Sequence, residues 1–290
     1  NKDIIYSRDR PVLRDVTSAF GDPGTIYQYD AQGNIVPQTS NLDNNGNPRN
    51  FRPFDDCPAA GFGTNPRYPN SSIVNGACRY RVGAVTGLTA GLRRQSLNVG
   101  GDYTLRSNLL AFSRFSTTSA RSFGEFPAAS VDTVVTGVNS AGANGNVGIY
   151  MAPDNPNNPN PGSTLVLNYR PVVLGTRNDT VTEQVNQYLI GLRGRLDLRS
   201  FKGWEAAFTV NDYRQDNTGY NYGLIRQLQA AVDSGSFNPF DPDPVAANAF
   251  RYTTNSNNRF TAVGLDGHLN LETQLGGLTL LSIGGLEYRL

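Results

Sequence analysis

Few residues in this chain could do covalent or proton-transfer chemistry. His268 is the single histidine. A catalytic or metal-bound imidazole needs a partner ligand, base or orienting group. With no second His to supply one, His268 reads as a hydrogen-bonded polar side chain. No Gly-x-Ser-x-Gly elbow and no phosphate-binding loop occur, and Arg93-Arg94 is a pair, not a basic patch. The only two cysteines, Cys57 and Cys78, enclose a loop dense in Gly, Pro and Asn. Lacking His partners, they make a poor metal site. Their placement predicts a disulfide in an oxidising compartment, the alternative being two free thiols. Closing a loop of about 22 residues contributes about 3 kcal/mol in the chain-entropy picture. The runs Asp43-Asn44-Asn45-Gly46-Asn47 and Phe240-Asp241-Pro242-Asp243-Pro244 look calcium-like but lack EF-hand spacing. Turn chemistry accounts for both, and for Tyr29 to Ile35. The chain is therefore expected to be no enzyme and to need no cofactor or metal.

Two other sets of side chains could carry function. Tyr27, Tyr29, Phe51, Phe54 and Tyr68 lie in or near the cysteine loop, and Tyr220, Tyr222, Phe237 and Phe240 flank a second polar loop. Exposed aromatic faces can hold sugars or chelates, and they can equally pack loops onto themselves. The second set is charged: Arg193, Arg195, Asp197, Glu205, Asp266, His268 and Glu272 recur at alternate positions of strand-like text.

The elements that must position them are strands. Tyr188, Ile190, Leu192, Leu196 and Leu198 share one face, opposite Gln187, Arg193, Arg195 and Asp197. After a short turn at 199–203, Trp204, Ala206, Phe208 and Val210 alternate with Glu205, Thr209 and Asn211. Val263, Leu265, Leu269 and Leu271 oppose Asp266, His268, Asn270 and Glu272, and a turn at 274–277 leads to the last strand. That strand is apolar on both faces near Leu280 and Leu281, so its faces are not assigned. An earlier hairpin pairs 94–103 with 108–117. Tight turns fall at one end only, and the other connections are long, at about 11–93, 118–185 and 216–258. Leu224, Ile225, Leu228, Ala231 and Val232 predict one helix inside them, stopped by Gly235. The strands are expected to run about 12–15 residues, long enough to cross a bilayer at a tilt. Trp204 would then sit in an aromatic girdle, or alternatively in a core.

Bulk properties agree. Lys+Arg 25 against Asp+Glu 24 gives a net charge of +1, which offers no case for nucleic acid. Mean hydropathy is -0.41, and no run approaches the roughly 18 apolar residues of a spanning helix. Spanning strands need only alternate apolar residues, so a polar average does not exclude a membrane. The chain opens and closes in strand-like text with no leader, and is expected to be a fragment of something longer.

The run Asp55-Asp56-Cys57-Pro58, followed by Gly76-Ala77-Cys78-Arg79-Tyr80, resembles the disulfide-bearing extracellular loop of proteobacterial TonB-dependent receptors. The hairpin Leu97 to Ser116 is similar to the one that follows that loop. Leu228 to Gly235 with Phe237-Asn238-Pro239-Phe240 resembles the family's loop helix and Asn-Pro-Phe segment. Gly284 to Arg289 resembles its Gly-x-Glu-Tyr-Arg strand. The motifs span most of the chain, in the family's order.

The resemblance implies an all-β fold: a section of a large antiparallel transmembrane β-barrel, with short periplasmic turns and long extracellular loops. Seven strands are expected, at about 1–10, 94–103, 108–117, 186–198, 203–215, 259–273 and 278–290. The plug domain and remaining strands of a 22-strand barrel would lie outside this section. Function would be TonB-dependent import of a scarce nutrient (siderophore-iron, oligosaccharide or peptide) across a Gram-negative bacterial outer membrane. Implied partners are the receptor's own plug, the TonB energy-coupling complex, outer-membrane lipid and, as a further candidate, a surface lipoprotein. The charged set would face the lumen and the plug. The alternatives are a passive porin-like barrel and a secreted β-rich adhesin or surface-layer protein.

Overall fold

The structure, a computed structural model, describes residues 4–10, 13, 16–131, 148–195 and 201–290. Over these residues it is mostly β, in antiparallel sheets, with one helix described in full. Six long strands form one sheet in sequence order: β1 Gly91–Arg106, β2 Leu109–Phe126, β3 Arg177–Arg195, β4 Phe201–Gly223, β5 Arg251–Leu275 and β6 Leu278–Arg289. At one end, β1 turns into β2 through Ser107 and Asn108, and β5 into β6 through Gly276 and Gly277. Both glycines hold positive φ, 55° and 87°, as a tight hairpin of matching twist requires. The first turn falls slightly later than the expected Thr104–Ser107, because β1 pairs as far as Arg106. The expected 199–203 turn, with Leu196, Asp197 and Leu198 before it, falls largely outside the described residues.

The register fixes which side chains share a face. Val99, Phe115, Tyr188, Val210 and Val263 stand in one row across β1 to β5. Ser113, Ile190, Phe208, Leu265 and Tyr288 form the next row across β2 to β6. Ala111, Leu192, Ala206, Gly267 and Leu286 form the third. Pairing shifts only near strand ends, at Thr104/Arg106, Phe201/Gly203 and Gly219/Tyr222. A slip of one residue anywhere between would flip every side chain. The pairing also assigns β6: Leu280, Leu286 and Tyr288 join the apolar face, while Leu281 and Ile283 lie on the charged one.

This sheet is a single layer. Among its described residues only Phe112 and Ala207 are buried hydrophobics. Leu192, Phe208 and Leu265 are 39 %, 41 % and 56 % exposed, so no dry core between stacked sheets covers them.

Two expectations are corrected. The strand expected at 1–10 is, among described residues, only Ile5–Tyr6, paired with Gly87–Thr89 and not with the wall. It ends because Ser7–Asp9 forms one 3-10 turn, with the Asp9 carboxylate accepting the Tyr6 N–H at 3.2 Å. The wall therefore has six strands here, not seven. The strands also run further than expected, to 25 residues in β5. Ladder hydrogen bonds do not require apolar side chains, and polar pairs sustain the extension. Ser96 meets Thr118 at 2.9 Å, Thr117 donates to Asn186 at 2.7 Å, and Thr261 donates to Asp212 at 3.1 Å.

The long connections fold together into a cap at the opposite end from the turns. Its four-stranded sheet orders Ile149–Met151, Thr164–Asn168, Thr25–Tyr29 and Arg52–Pro53. Helix α1, Ile225–Asp233, lays Leu228, Ala231 and Val232 onto it as its spacing predicts. Gly235, at φ 75°, reverses the chain after α1, so that Phe237 reaches the same core. The two Asp-x-x-Gly-Asn stretches fold as identical turns. Asp30 accepts the N–H groups of Gln32 and Asn34, and Asp43 those of Asn45 and Asn47. Cys57 and Cys78 are disulfide-bonded and buried, joining a turn to the strand Ala77–Arg81. Replacing both by serine should lower the cap's opening free energy by about 3 kcal/mol. Hydrogen exchange would show it as lost protection over 24–81, with the amides of β2 to β5 unchanged.

Candidate functional site

The charged face of the wall gathers the predicted ionic set. Arg193 stands directly across from Glu205, which stands across from His268. The Arg193 guanidinium lies 3.5 Å from the Glu205 carboxylate and 4.8 Å from the centre of the Phe112 ring. Lys202 approaches Glu272 at 3.7 Å. Arg195 and His268 line the same depression near the turns, about 570 Å³, with Arg106, Arg193, Lys202 and Glu205. Asp266 lies further along, opposite Ala207 and Glu287. Asp197 falls outside the described residues. These pairs are half-exposed, so each contributes at most about 1 kcal/mol. The arrangement lines a surface with mixed charge. It shows no nucleophile with an adjacent base, and no group of three metal-ligating side chains occurs among the described residues.

Two glycines let aromatic rings lie flat against this wall. The Phe112 ring occupies the space a Cβ at Gly191 would need, and the Trp204 indole does the same over Gly194. Trp204 is half-buried on the apolar face near the turns.

The loop aromatics divide. Tyr29, Tyr68, Phe237 and Phe240 are buried, between 1 % and 7 % exposed. They pack the cap, with Tyr29 also bordering a depression beside Tyr150 and Thr164. Phe54 stacks on Phe240 with ring centres 4.5 Å apart and borders the core. Tyr27 and Phe51 lie 5.7 Å apart, both half-buried. Tyr222 donates to the Asp179 carboxylate at 3.0 Å. Tyr220 is the most open of the nine, at 48 %. Of the nine, Tyr220 is exposed, and Tyr27, Phe51, Phe54 and Tyr222 are half-buried.

One buried polar cluster has no counterpart in the sequence reading. Asp22 is 8 % exposed, and its Oδ1 has no hydrogen-bond partner. The hydroxyls of Tyr68 and Tyr169, both buried, are also unpartnered. Arg170 donates to the Ala128 and Phe20 carbonyls and the Ser18 hydroxyl. Burial pushes the Asp22 carboxyl up to about 7 against the attraction of Arg67 and Arg170, and raises Tyr169 well above the ordinary tyrosine value. A single Asp-Pro dipeptide carries no signal of this, because the burial comes from distant segments.

Compared with known protein families, with characterised proteins and with solved structures, the chain matches none.

Asp22 makes the cap pH-sensitive in a defined direction. Its folded-state pKa lies above the unfolded value of 3.8, so the folded cap binds the extra proton between those values. Stability from this group is greatest below about pH 4, falls as pH rises towards 7, and is level above. The full difference is about 4 kcal/mol. Asp22→Asn should flatten this dependence, measured as cap hydrogen exchange at pH 5 and pH 8 after correction for the intrinsic rate.

Proposed function

We propose that this chain is barrel wall and capture loops of an energy-coupled importer in a bacterial outer membrane, of the TonB-dependent receptor kind. The observation that carries the reading is the uncovered apolar face of the wall. Side chains as large as Ile190, Phe208, Leu265 and Leu286 stand in rows across it with nothing packed upon them. Water is a poor solvent for such a surface, since exposed apolar patches on soluble monomers rarely exceed a few hundred Å².

Dimensions support lipid as the solvent. From Phe201 to Val210 the apolar side of β4 runs roughly 30 Å along the strand at about 3.3 Å per residue. At a tilt of about 40° that is roughly 23 Å along the normal, close to the apolar band of outer-membrane barrels. Tight turns at one end and a large folded cap at the other match the asymmetry of such barrels. In this reading the charged face lines the interior, where Arg193, Glu205, Asp266, His268 and Glu272 meet a plug domain. The cap receives the cargo, a chelated iron, an oligosaccharide or a peptide, and the TonB complex supplies the work of opening.

Substitutions on opposite faces test the membrane part directly. Leu192→Arg and Phe208→Arg should each cost about 2–4 kcal/mol in urea unfolding from phospholipid vesicles. Arg193→Leu, on the other face, should cost under about 1 kcal/mol. Equal effects on the two faces, or release of the native protein from cells without detergent, would refute the reading. The import part is tested by cargo uptake in cells lacking the TonB complex, where it should stop.

A further inference from the structure

Beyond the apolar rows, towards the cap, the same face of the wall turns polar, with Arg93, Arg121, Arg214 and Arg259 sharing it with Asp212 and Asp216. On β1 the positions facing with Leu97 and Val99 continue through Gln95 to Arg93. On β2 those facing with Phe115 continue through Thr117 and Ser119 to Arg121. The register sets Arg93 directly opposite Arg121. Both are exposed. Two like charges facing each other across a ladder repel, and no carboxylate stands in an adjacent same-face position. Asp216 lies in the row beyond Thr182, and Glu125, four residues along β2, accepts from Tyr6 and Thr176. The same-face positions around the pair are Gln95, Ser119, Phe123, Thr180, Thr182 and Gln184. None is acidic. The nearest acids of β3, Asp179 and Glu183, point to the opposite face by parity.

A second arginine pair on this face is handled differently. Arg214 stands across from Arg259, and Asp212 lies between them, 3.4 Å and 3.7 Å from the two guanidinium groups. The wall thus compensates one opposed pair from within and leaves the other without an adjacent carboxylate. An anion from outside would turn the Arg93–Arg121 repulsion into a two-pronged clamp. Guanidinium groups bind phosphate oxygens bidentately.

We infer that Arg93 and Arg121 form a binding site for the phosphate headgroup of a lipid in the membrane leaflet nearest the cap. The inference rests on the reading that the apolar face contacts lipid, and it adds which lipid chemistry the rim selects. Arg93 lies four residues past Leu97, roughly 13 Å along the strand. At a tilt of about 40° this is roughly 10 Å beyond the apolar band. Such a height puts both guanidinium groups in the headgroup layer and out of the acyl chains.

The test uses the native full-length protein in vesicles of phosphatidylcholine alone, of phosphatidylcholine doped with lipid A as a phosphomonoester lipid, and of the same mixture with the lipid dephosphorylated. Lipid retained after gentle detergent extraction is read by native mass spectrometry. The wild type should retain the phosphorylated lipid preferentially. Arg93→Gln/Arg121→Gln should lose that preference about tenfold or more, and Arg94→Gln, on the opposite face, should keep it. The double variant should still insert in phosphatidylcholine, at least as stably as the wild type, because it removes a repulsion. Equal retention by wild type and double variant would overturn the site while leaving the membrane reading intact. So would loss of retention upon adding millimolar inorganic phosphate, which would show a free-anion site instead. Failure of the wild type to enter any of the vesicles would overturn the membrane reading and the lipid site together.

Discussion

The rest of the molecule depends on one geometric constraint, the alternation of side chains along a ladder that holds its register across six strands. Because Tyr188, Ile190 and Leu192 share a parity, and their partners Val210, Phe208 and Ala206 match it, the sheet must present one apolar and one polar surface. Neither surface is folded against anything. An ordinary β-sandwich would have turned the apolar faces of two sheets inward. Here the hydrophobic core lies elsewhere, in the cap, built around Ile26, Leu167, Tyr169, Val232 and Phe250. Wall and core are therefore held by different means, the wall by its ladder and the core by burial.

That separation explains how the cap can be large without weakening the wall. Its attachments are polar and lie at the strand ends. Arg251 donates to the Leu174 carbonyl and the Asn221 side chain, Arg177 donates to the Pro127 carbonyl, and Thr176 and Tyr6 both donate to Glu125. None of these bonds reaches the apolar rows. The cap gains its order from burial and from the Cys57–Cys78 link. Its polar loops are fixed by local chemistry, as the carboxylates of Asp30 and Asp43 show by accepting several backbone N–H groups each, which holds both below the usual aspartate range. The cap's turns are thus fixed by local hydrogen bonds.

The wall was legible in the sequence where apolar and polar residues alternate, as in Tyr188 to Arg195 and Trp204 to Val210, since period-2 text has one physical meaning. It was not legible where the strand continues as Asn, Thr and Gln, because the ladder there is held by backbone bonds and polar side-chain pairs that leave no hydrophobic period. The turn at Gly276-Gly277 and helix α1 followed from residues that permit few alternatives. The cap's fold was lost for a different reason. Leu165-Val166-Leu167 is a short fully apolar run, the mark of a strand buried on both faces, yet Asn and Pro on either side made the whole region read as loop. Of the aromatics, sequence could locate them but could not distinguish Phe237, sealed in the core, from Tyr220, left open. That distinction is made by which distant segment lands on the ring. Asp22 was missed for the same reason.

The edges sharpen the choice between readings. Among the described residues β1 and β6 each pair on one side only, which leaves outward backbone donors and acceptors without a strand partner along 16 and 12 residues. In water such edges recruit other strands and aggregate. In a hydrocarbon layer each unpaired group costs several kcal/mol. An apolar face asks for lipid, and lipid forbids an open edge. An adhesin would meet neither demand, since it would need a second layer over Leu265 and Phe208 and shielding along β1. In the proposed reading, closure into a barrel by further strands would meet both at once and would enclose the charged face, giving Arg193, Glu205 and His268 an aqueous interior to line. This is why the reading adopted for the chain is a section of barrel wall and not a free-standing sheet.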